Sequence, residues 1–383
     1  MTNIYQMGLP RRVIGGAGSI SQLSALAKDS GAKNIVILTD KGVYGTGITA
    51  KAEKILSDYN TKIVKDVPPE PEYNQVLNIY NKVKNDNFDM IVAIGGGSVM
   101  DTAKILAVLF TNPAYAEDIL NPSLIKNRGI ATVFIPTTAG TGSEATPNSI
   151  VVVPEKELKV GIVNSNFIPD YVILDAEMTL KLPQSVTAST GVDAFCHAIE
   201  CFISKKANPF SDMYALKAIS LISKSIRNAY NNGEDISARE DMLLAAFYGG
   251  MCIASSSTVA VHALSYPLGG KYRIPHGISN AILLPYVMEY NADYVEDKFK
   301  DVALAMGIDI KNKNCNEISK EVINEIFKMT EDIKIPRDLK KFGITKDDLE
   351  NLVEGASGVT RLLDNNPKPM TKDDMRNIYL KIV

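Results

Sequence analysis

The sequence predicts two domains of different class, an N-terminal α/β domain with a mostly parallel sheet over residues 1–180 and an all-helical domain over residues 181–383. Three observations lead to this division. Short β-branched apolar runs alternate with amphipathic helical stretches through the first half, the pattern of a parallel sheet covered on both faces. From about Leu182 onward helix follows helix with few strand signals. A chain of 383 residues also exceeds one ordinary hydrophobic core, which favours about two domains.

Taken in order, Val13 to Gly18 (VIGGAG) leads into a helix over Ser19 to Ala27, and Asn34 to Asp40 (NIVILTD) reads as a buried strand. A helix is expected around Ile48 to Tyr59, a strand at Thr61 to Val67, and, after the proline-rich PPEPEYN, a further helix up to Asn85. DMIVAI (Asp89 to Ile94) is a buried strand running into a helix that ends near Phe110, and Ala131 to Ile135 is the next strand. Beyond it SIVVVP and YVILD read as strands separated by LKVGIV, and the domain boundary falls near Asp175 to Pro183. There is no internal repeat and no low-complexity tract.

Composition narrows the function classes. Hydrophobic residues are 45% of the chain and charged residues 22%, too apolar for a disordered protein. A net charge of -3 gives no electrostatic footprint for nucleic acid or an anionic membrane surface. MTNIYQMGLPRRVIGG lacks a signal-peptide apolar core and no run of 18 apolar residues occurs, so a cytoplasmic protein is expected. Cys196, Cys201, Cys252 and Cys315 form no Cys-x-x-Cys pair and read as reduced, mostly buried thiols.

The chemistry concentrates between Asp193 and His276, a stretch that holds all 3 histidines of the chain. Asp193 and His197 stand four apart in a segment with helical apolar spacing, so their side chains rise from one helix face about one turn apart. His262 ends a second helix-like run, and His276 follows Pro275 in what reads as the first turn of a third helix. One carboxylate oxygen and three imidazole nitrogens suit Fe(II), Zn(II), Co(II) or Mn(II) better than Ca(II) or Cu(I).

A nucleotide-binding pattern occupies the first half. DMIVAIGGGSVMDTAKILAVLF is a strand, a glycine turn at Gly95, Gly96 and Gly97, and a helix that starts at Ser98, so backbone N–H groups and the helix N-terminus can face a phosphate. It is not G-x-G-x-x-G, and a triple glycine can be merely a tight turn. IPTTAGTGSEAT places a second loop rich in hydroxyls and glycines at the end of the next strand, on the sheet edge where such ligands gather. Asp40, at the end of NIVILTD, can accept hydrogen bonds from adenosine ribose hydroxyls and repel a 2'-phosphate, favouring NAD over NADP; as an alternative it caps the next helix.

GGGSVMDTAK, PTTAGTGSEAT, GVDAFCHAIE and HALSYPLGGKYRIPHGISNAILLP resemble the signature segments of the iron-containing (group III) alcohol dehydrogenases, and the similarity runs from near residue 8 to a NPKPMTKDD tail. The resemblance implies a Rossmann-like domain binding NAD(P), a helical domain carrying the metal with Fe(II) favoured over Zn(II), and an active site between them. By motif match the metal ligands are Asp193, His197, His262 and His276, and the phosphate-binding residues are Gly95, Gly96, Gly97 and Ser98. Thr137, Thr138 and Thr141 match cofactor-loop hydroxyls, Lys159 a lysine near the nicotinamide ribose, and Asp101 and Asp175 structural polar residues near the cofactor. Members are often dimers or larger, so a homo-oligomer is expected.

Two positions depart from the family pattern. Tyr266 stands where many members have a second histidine, and its unperturbed pKa of about 10 makes it a poor base at neutral pH. Arg273, three residues before His276, either receives an anionic substituent of the substrate or pairs with a carboxylate of the protein. The expected activity is reversible NAD-linked oxidation of a short alcohol or diol, with reduction of an anionic short aldehyde (carboxylated, sulfonated or phosphonated) as the alternative. A dehydroquinate-synthase-like lyase would need a basic pocket that the ligand helices lack, the nucleotide loops weigh against a non-heme iron oxygenase, and lack of NAD binding would point to a non-enzymatic metal-binding protein.

Overall fold

A computed structural model describes residues 4–156 and 158–383. The chain forms two compact units, one of Gly8–Thr138 and Gly142–Leu182, the other of Pro183–Val383 joined by Ala139–Thr141 and the described residues before Gly8.

Among the described residues the first unit contains eight strands: β1 (Arg12–Gly15), β2 (Asn34–Leu38), β3 (Asn60–Val64), β4 (Met90–Gly95), β5 (Ala131–Pro136), β6 (Asn148–Val153), β7 (Leu158–Val163) and β8 (Tyr171–Leu174). Six of them make one sheet in the order β1-β8-β5-β4-β2-β3, with every pair parallel. The central strands β2 and β4 are continuous apolar runs because both faces are covered by helices, and every residue of β4 is buried. The covering helices are α1 (Leu23–Ser30), α2 (Lys41–Gly45), α3 (Ile48–Ile55), α4 (Tyr73–Val83) and α5 (Gly97–Leu109).

LKVGIV, which the sequence leaves between two strands, is itself strand β7. It pairs antiparallel with β6, Ile150 opposite Gly161, as a hairpin separate from the main sheet. Burial alternates along β6 because only one face of the hairpin is covered, and Gly161 interrupts the apolar pattern by which β7 would be recognised. The helix expected from Ser19 begins as a 3-10 turn and becomes α-helical at Leu23. Asp175 causes this local winding, since its carboxylate accepts the backbone N–H groups of Gly18, Ile20 and Glu177.

The second unit is helical: α6 (Gln184–Ile203), α7 (Pro209–Asn231), α8 (Ile236–Ser255), α9 (Ala260–Gly270), α10 (His276–Asn291), α11 (Glu296–Ala305) and α12 (Cys315–Asp332), with shorter helices after them. α6 lies at its centre, buried through most of its length and packed on α7, α8 and α10. His262 stands in the first turn of α9 and not at the end of a helical run. The reason is the Ser255-Ser256-Ser257-Thr258 segment, whose hydroxyls bond to backbone carbonyls (Ser256 Oγ to Cys201 O, Ser257 Oγ to Thr258 O) and end α8 before the next helix starts. Among the described residues no single helix is long and apolar enough to cross a bilayer.

Candidate functional site

Three helices of the second unit bring the four side chains together. Asp193 and His197 project from one face of α6, His262 from the first turn of α9, and His276 is the first residue of α10, with Pro275 supplying the preorganised entry. Oδ1 of Asp193 is the hub: Nε2 of His197 lies 3.9 Å away, that of His262 4.0 Å and that of His276 3.8 Å. In a tetrahedral site with bonds of about 2.1 Å the ligand atoms stand roughly 3.4 Å apart, so each histidine lies near that spacing from Asp193, while His197 is outside the set whose ligand atoms are all mutually close. Asp193, His262 and His276 each bring a ligand atom to within 4.8 Å of the others.

Asn280, one turn beyond His276 on α10, gives an internal test of whether these groups suit a cation. Its amide Nδ2 donates to Asp193 Oδ1 at 2.7 Å and lies 3.2 Å from both His262 Nε2 and His276 Nε2. An amide has two hydrogens and cannot serve three acceptors, whereas a divalent ion can accept all their lone pairs. Asn280 Oδ1, on the other side, is buried without a hydrogen-bond partner among the described residues. The donor set fits a divalent metal.

The electrostatics agree. Burial alone would raise the Asp193 carboxyl, but the three imidazoles and the Asn280 amide hold it below its ordinary value. Burial lowers the proton affinity of His197, favouring the neutral imidazole that a metal requires; Asp193 and the backbone of Gly140 oppose that shift without overturning it. Gly140 belongs to the loop leaving β5 and packs so closely on α6 that a Cβ there would come within 2.6 Å of Thr190 Cβ. Thr141 follows it in the same compact unit.

Two further buried polar side chains face this cluster and are absent from the sequence-based site: Asn280 and Glu200. Glu200 Oε1 accepts the Val261 N–H at 2.6 Å, and Oε2 pairs with His262 Nδ1. The signal was helical spacing, since Glu200 is three residues after His197 and Asn280 four after His276.

Tyr266 is half-buried, its ring 6.3 Å from that of His276. Burial raises its phenol, against an opposing contribution from Arg361, which leaves still less phenolate present at neutral pH. Arg273 is exposed in the turn before α10 and adopts a left-handed backbone, φ 55°. The expected pairing with a protein carboxylate is not found, since no carboxylate among the described residues forms an ion pair with it.

The nucleotide-loop candidates line the carboxyl edge of the parallel sheet in the first unit. β2, β4 and β5 are neighbours, and their ends lead into Asp40, the glycine turn and Thr137–Thr138 respectively. Thr39 Oγ1 donates to Ile94 O at 2.7 Å, and Thr137 N to Gly95 O at 3.0 Å, which fixes the three strand ends together. α5 starts at Gly97, one residue before the expected Ser98, with its first-turn N–H groups beside that edge. A Cβ on Gly95 would lie 2.5 Å from Val99 Cγ2, so the first turn of α5 needs a glycine there, and one on Gly96 would crowd Thr138 Oγ1 at 3.2 Å.

Asp40 caps α2, accepting the Val43 N–H at 2.9 Å. Lys159 pairs with Glu70 at 2.5 Å, and the Glu70 N–H donates to Ser98 Oγ at 2.9 Å. Asp101 is buried structural support, accepting from Ser143 Oγ at 2.6 Å and from Ile150 N at 3.0 Å. Beside it the fully buried Lys104 ammonium donates to Ser143 Oγ, Thr146 Oγ1 and Asn148 O, tying α5 to the chain after β5. Burial lowers Lys104 and pushes the neighbouring Glu144 carboxyl up to about 7.

Comparison with known proteins gives matching results for both units. Residues 10–176 match the iron-containing alcohol dehydrogenase model, and residues 187–383 match the C-terminal model of the Fe-containing alcohol dehydrogenase family. Long-chain-alcohol dehydrogenase 1 of Geobacillus thermodenitrificans is 36% identical over 369 residues, covering 95% of this chain and 93% of that protein. An alcohol dehydrogenase from Oenococcus oeni superposes with a TM-score of 0.95 at 31% identity, over 99% of this chain and 100% of that one. Sulfoacetaldehyde reductase from Bifidobacterium kashiwanohense, solved in complex with NAD+, superposes with a TM-score of 0.89 at 27% identity, over 99% and 98% of the two chains.

Proposed function

The chain belongs to the iron-containing alcohol dehydrogenase family, and within it we propose a metal-dependent, NAD-linked dehydrogenase that interconverts a short-chain alcohol or diol and its aldehyde. The observation that carries this is Asp193 Oδ1 standing 3.8–4.0 Å from the Nε2 atoms of all three histidines, with the ligand atoms of Asp193, His262 and His276 within 4.8 Å of one another. A divalent ion held there, Fe(II) first and Zn(II) second, supplies Lewis acidity toward the substrate oxygen, and NAD supplies the hydride acceptor. The protein's own part is binding and orientation. Asp193, His197, His262 and His276 hold the ion, Asn280 restrains the Asp193 carboxylate, and the α5 N-terminus with Thr137 and Thr138 receives the nucleotide. Lys159 neighbours the ribose while held by Glu70, and the free cysteines support work in the reducing cytoplasm, as a homo-oligomer.

An anionic short aldehyde is the second reading, supported by Arg273. An arginine kept in a left-handed turn three residues from His276, with no carboxylate of the described residues paired to it, is available for a substrate anion. The test is NADH oxidation with neutral and anionic short aldehydes, run anaerobically on metal-stripped protein re-supplied with Fe(II) or Zn(II). Turnover restored by either ion is expected, and the ranking of aldehydes separates the two substrate classes. Measured NADH binding with no turnover on either metal would overturn the dehydrogenase assignment.

Asp40 carries the cofactor preference in this proposal. Asp40→Asn keeps a side-chain cap for α2 and removes only the charge that repels a 2'-phosphate. The ratio of kcat/KM for NADP to that for NAD is expected to rise by about tenfold, or about 1.4 kcal/mol. An unchanged ratio would leave Asp40 as a helix cap alone.

A further inference from the structure

Glu200 is the one carboxylate that the helix face carrying Asp193 and His197 presents a further turn along α6. It is completely buried, and its one ion-pair partner among the described residues is the ring of His262. Its two oxygens meet two donors from the start of α9: Oε1 takes the Val261 N–H at 2.6 Å and Oε2 faces His262 Nδ1. A carboxylate is the group that suits this position, because it accepts at both oxygens. A glutamine has one acceptor oxygen, so its NH2 would oppose either the Val261 N–H or the His262 Nδ1–H.

We propose that Glu200 is a positioning residue of the metal centre: it holds the proton of His262 on Nδ1, so that the Nε2 lone pair is fixed toward the point shared with Asp193 and His276. Its charge also completes the balance of the site. Asp193 and Glu200 together carry two negative charges, which neutralise one divalent cation in a buried cluster whose other ligands are neutral imidazoles. The inference rests on the metal-centre reading of Asp193, His197, His262 and His276.

Direct binding tests it without reference to turnover. Zn(II) and Co(II) dissociation constants of the purified protein are expected to rise about 10–100-fold in Glu200→Gln, with altered Co(II) ligand-field bands. Glu200→Asp, which keeps both acceptors on a shorter stem, should recover part of the affinity. A Glu200→Gln protein with wild-type affinity and an unchanged Co(II) spectrum overturns the proposal. Should the glutamine variant fail to fold, the wild type decides. With 3 histidines in the chain, the 15N-histidine spectrum of Zn(II)-loaded protein resolves each ring, and His262 is expected to carry its proton at Nδ1. A protonated Nε2 on His262 overturns the proposal. Wild type that binds neither ion removes the metal-centre reading itself, a result distinct from tight wild-type binding that Glu200→Gln leaves intact.

Discussion

Asp193→Asn is expected to strip the bound metal and lower kcat/KM by about 10^3-fold or more while the fold persists. The substitution is nearly isosteric, and α6 around it is packed on α7, α8 and α10, so little else changes. What is lost is the one negative charge placed 3.8–4.0 Å from all three imidazole Nε2 atoms. The asparagine NH2 or carbonyl would also have to share the 2.7 Å contact with the Asn280 amide. Lewis-acid stabilisation of several kcal/mol, at about 1.36 kcal/mol per decade of rate, gives roughly three decades. His197→Ala and His262→Ala should act in the same direction. Metal content after gel filtration, followed by turnover with and without chelator, checks this. A variant with full activity in chelator would remove the metal from the mechanism.

The clustering of Asp193 with the three histidines was legible because it needed only local geometry and counting. Asp193 and His197 sit at a helical spacing of four, and with 3 histidines in the chain none was left over to compete. Glu200 and Asn280 obey the same periodicity, yet they were missed. A lone glutamate or asparagine on an apolar helix has many uses, and their roles depend on α9 and α10 crossing α6, which no local pattern encodes. The parallel sheet was legible for a similar reason to the ligands, since continuous apolar runs such as MIVAI are specific to strands buried on both faces. LKVGIV was not, because β7 is half-buried, interrupted by Gly161 and completed by pairing with β6.

Arg273 and Asp40 show the limit from the other side. The sequence placed both at informative positions, and the structure gives each a local fact: a left-handed backbone at Arg273 and a helix cap at Asp40. Either fact is compatible with a role toward a small molecule that only binding reveals. The ion pair that Lys159 makes as a largely buried partner of Glu70 could not be read from the sequence, because the residues that pair lie 89 apart in the chain.

Gly277→Ala tests how precisely α6 and α10 must meet, and it is expected to weaken metal binding by about 10^2-fold, the scale that a 1 Å misplacement costs an active site. A Cβ at Gly277 would stand 2.2 Å from Ser189 O and 2.7 Å from Ser189 C, atoms of the α6 backbone that cannot rotate away. Reaching an ordinary contact of about 3.5 Å requires the helices to separate by roughly 1 Å. Gly277 adjoins His276, and Ser189 lies one turn before Asp193, so the separation falls directly on the 3.8 Å spacing between His276 Nε2 and Asp193 Oδ1. Overpacking of this kind also costs about 1–3 kcal/mol of stability. Gly191→Ala provides the contrast. Gly191 lies on α6, and its added Cβ would meet Met242 Cε at 2.8 Å and Ile226 Cδ1 at 3.0 Å, the far ends of side chains that can repack. That variant should lose stability with little change in Zn(II) affinity. If both alanines shifted the dissociation constant equally, general loosening of α6, and not the close approach of α6 and α10, would be what sets the metal site.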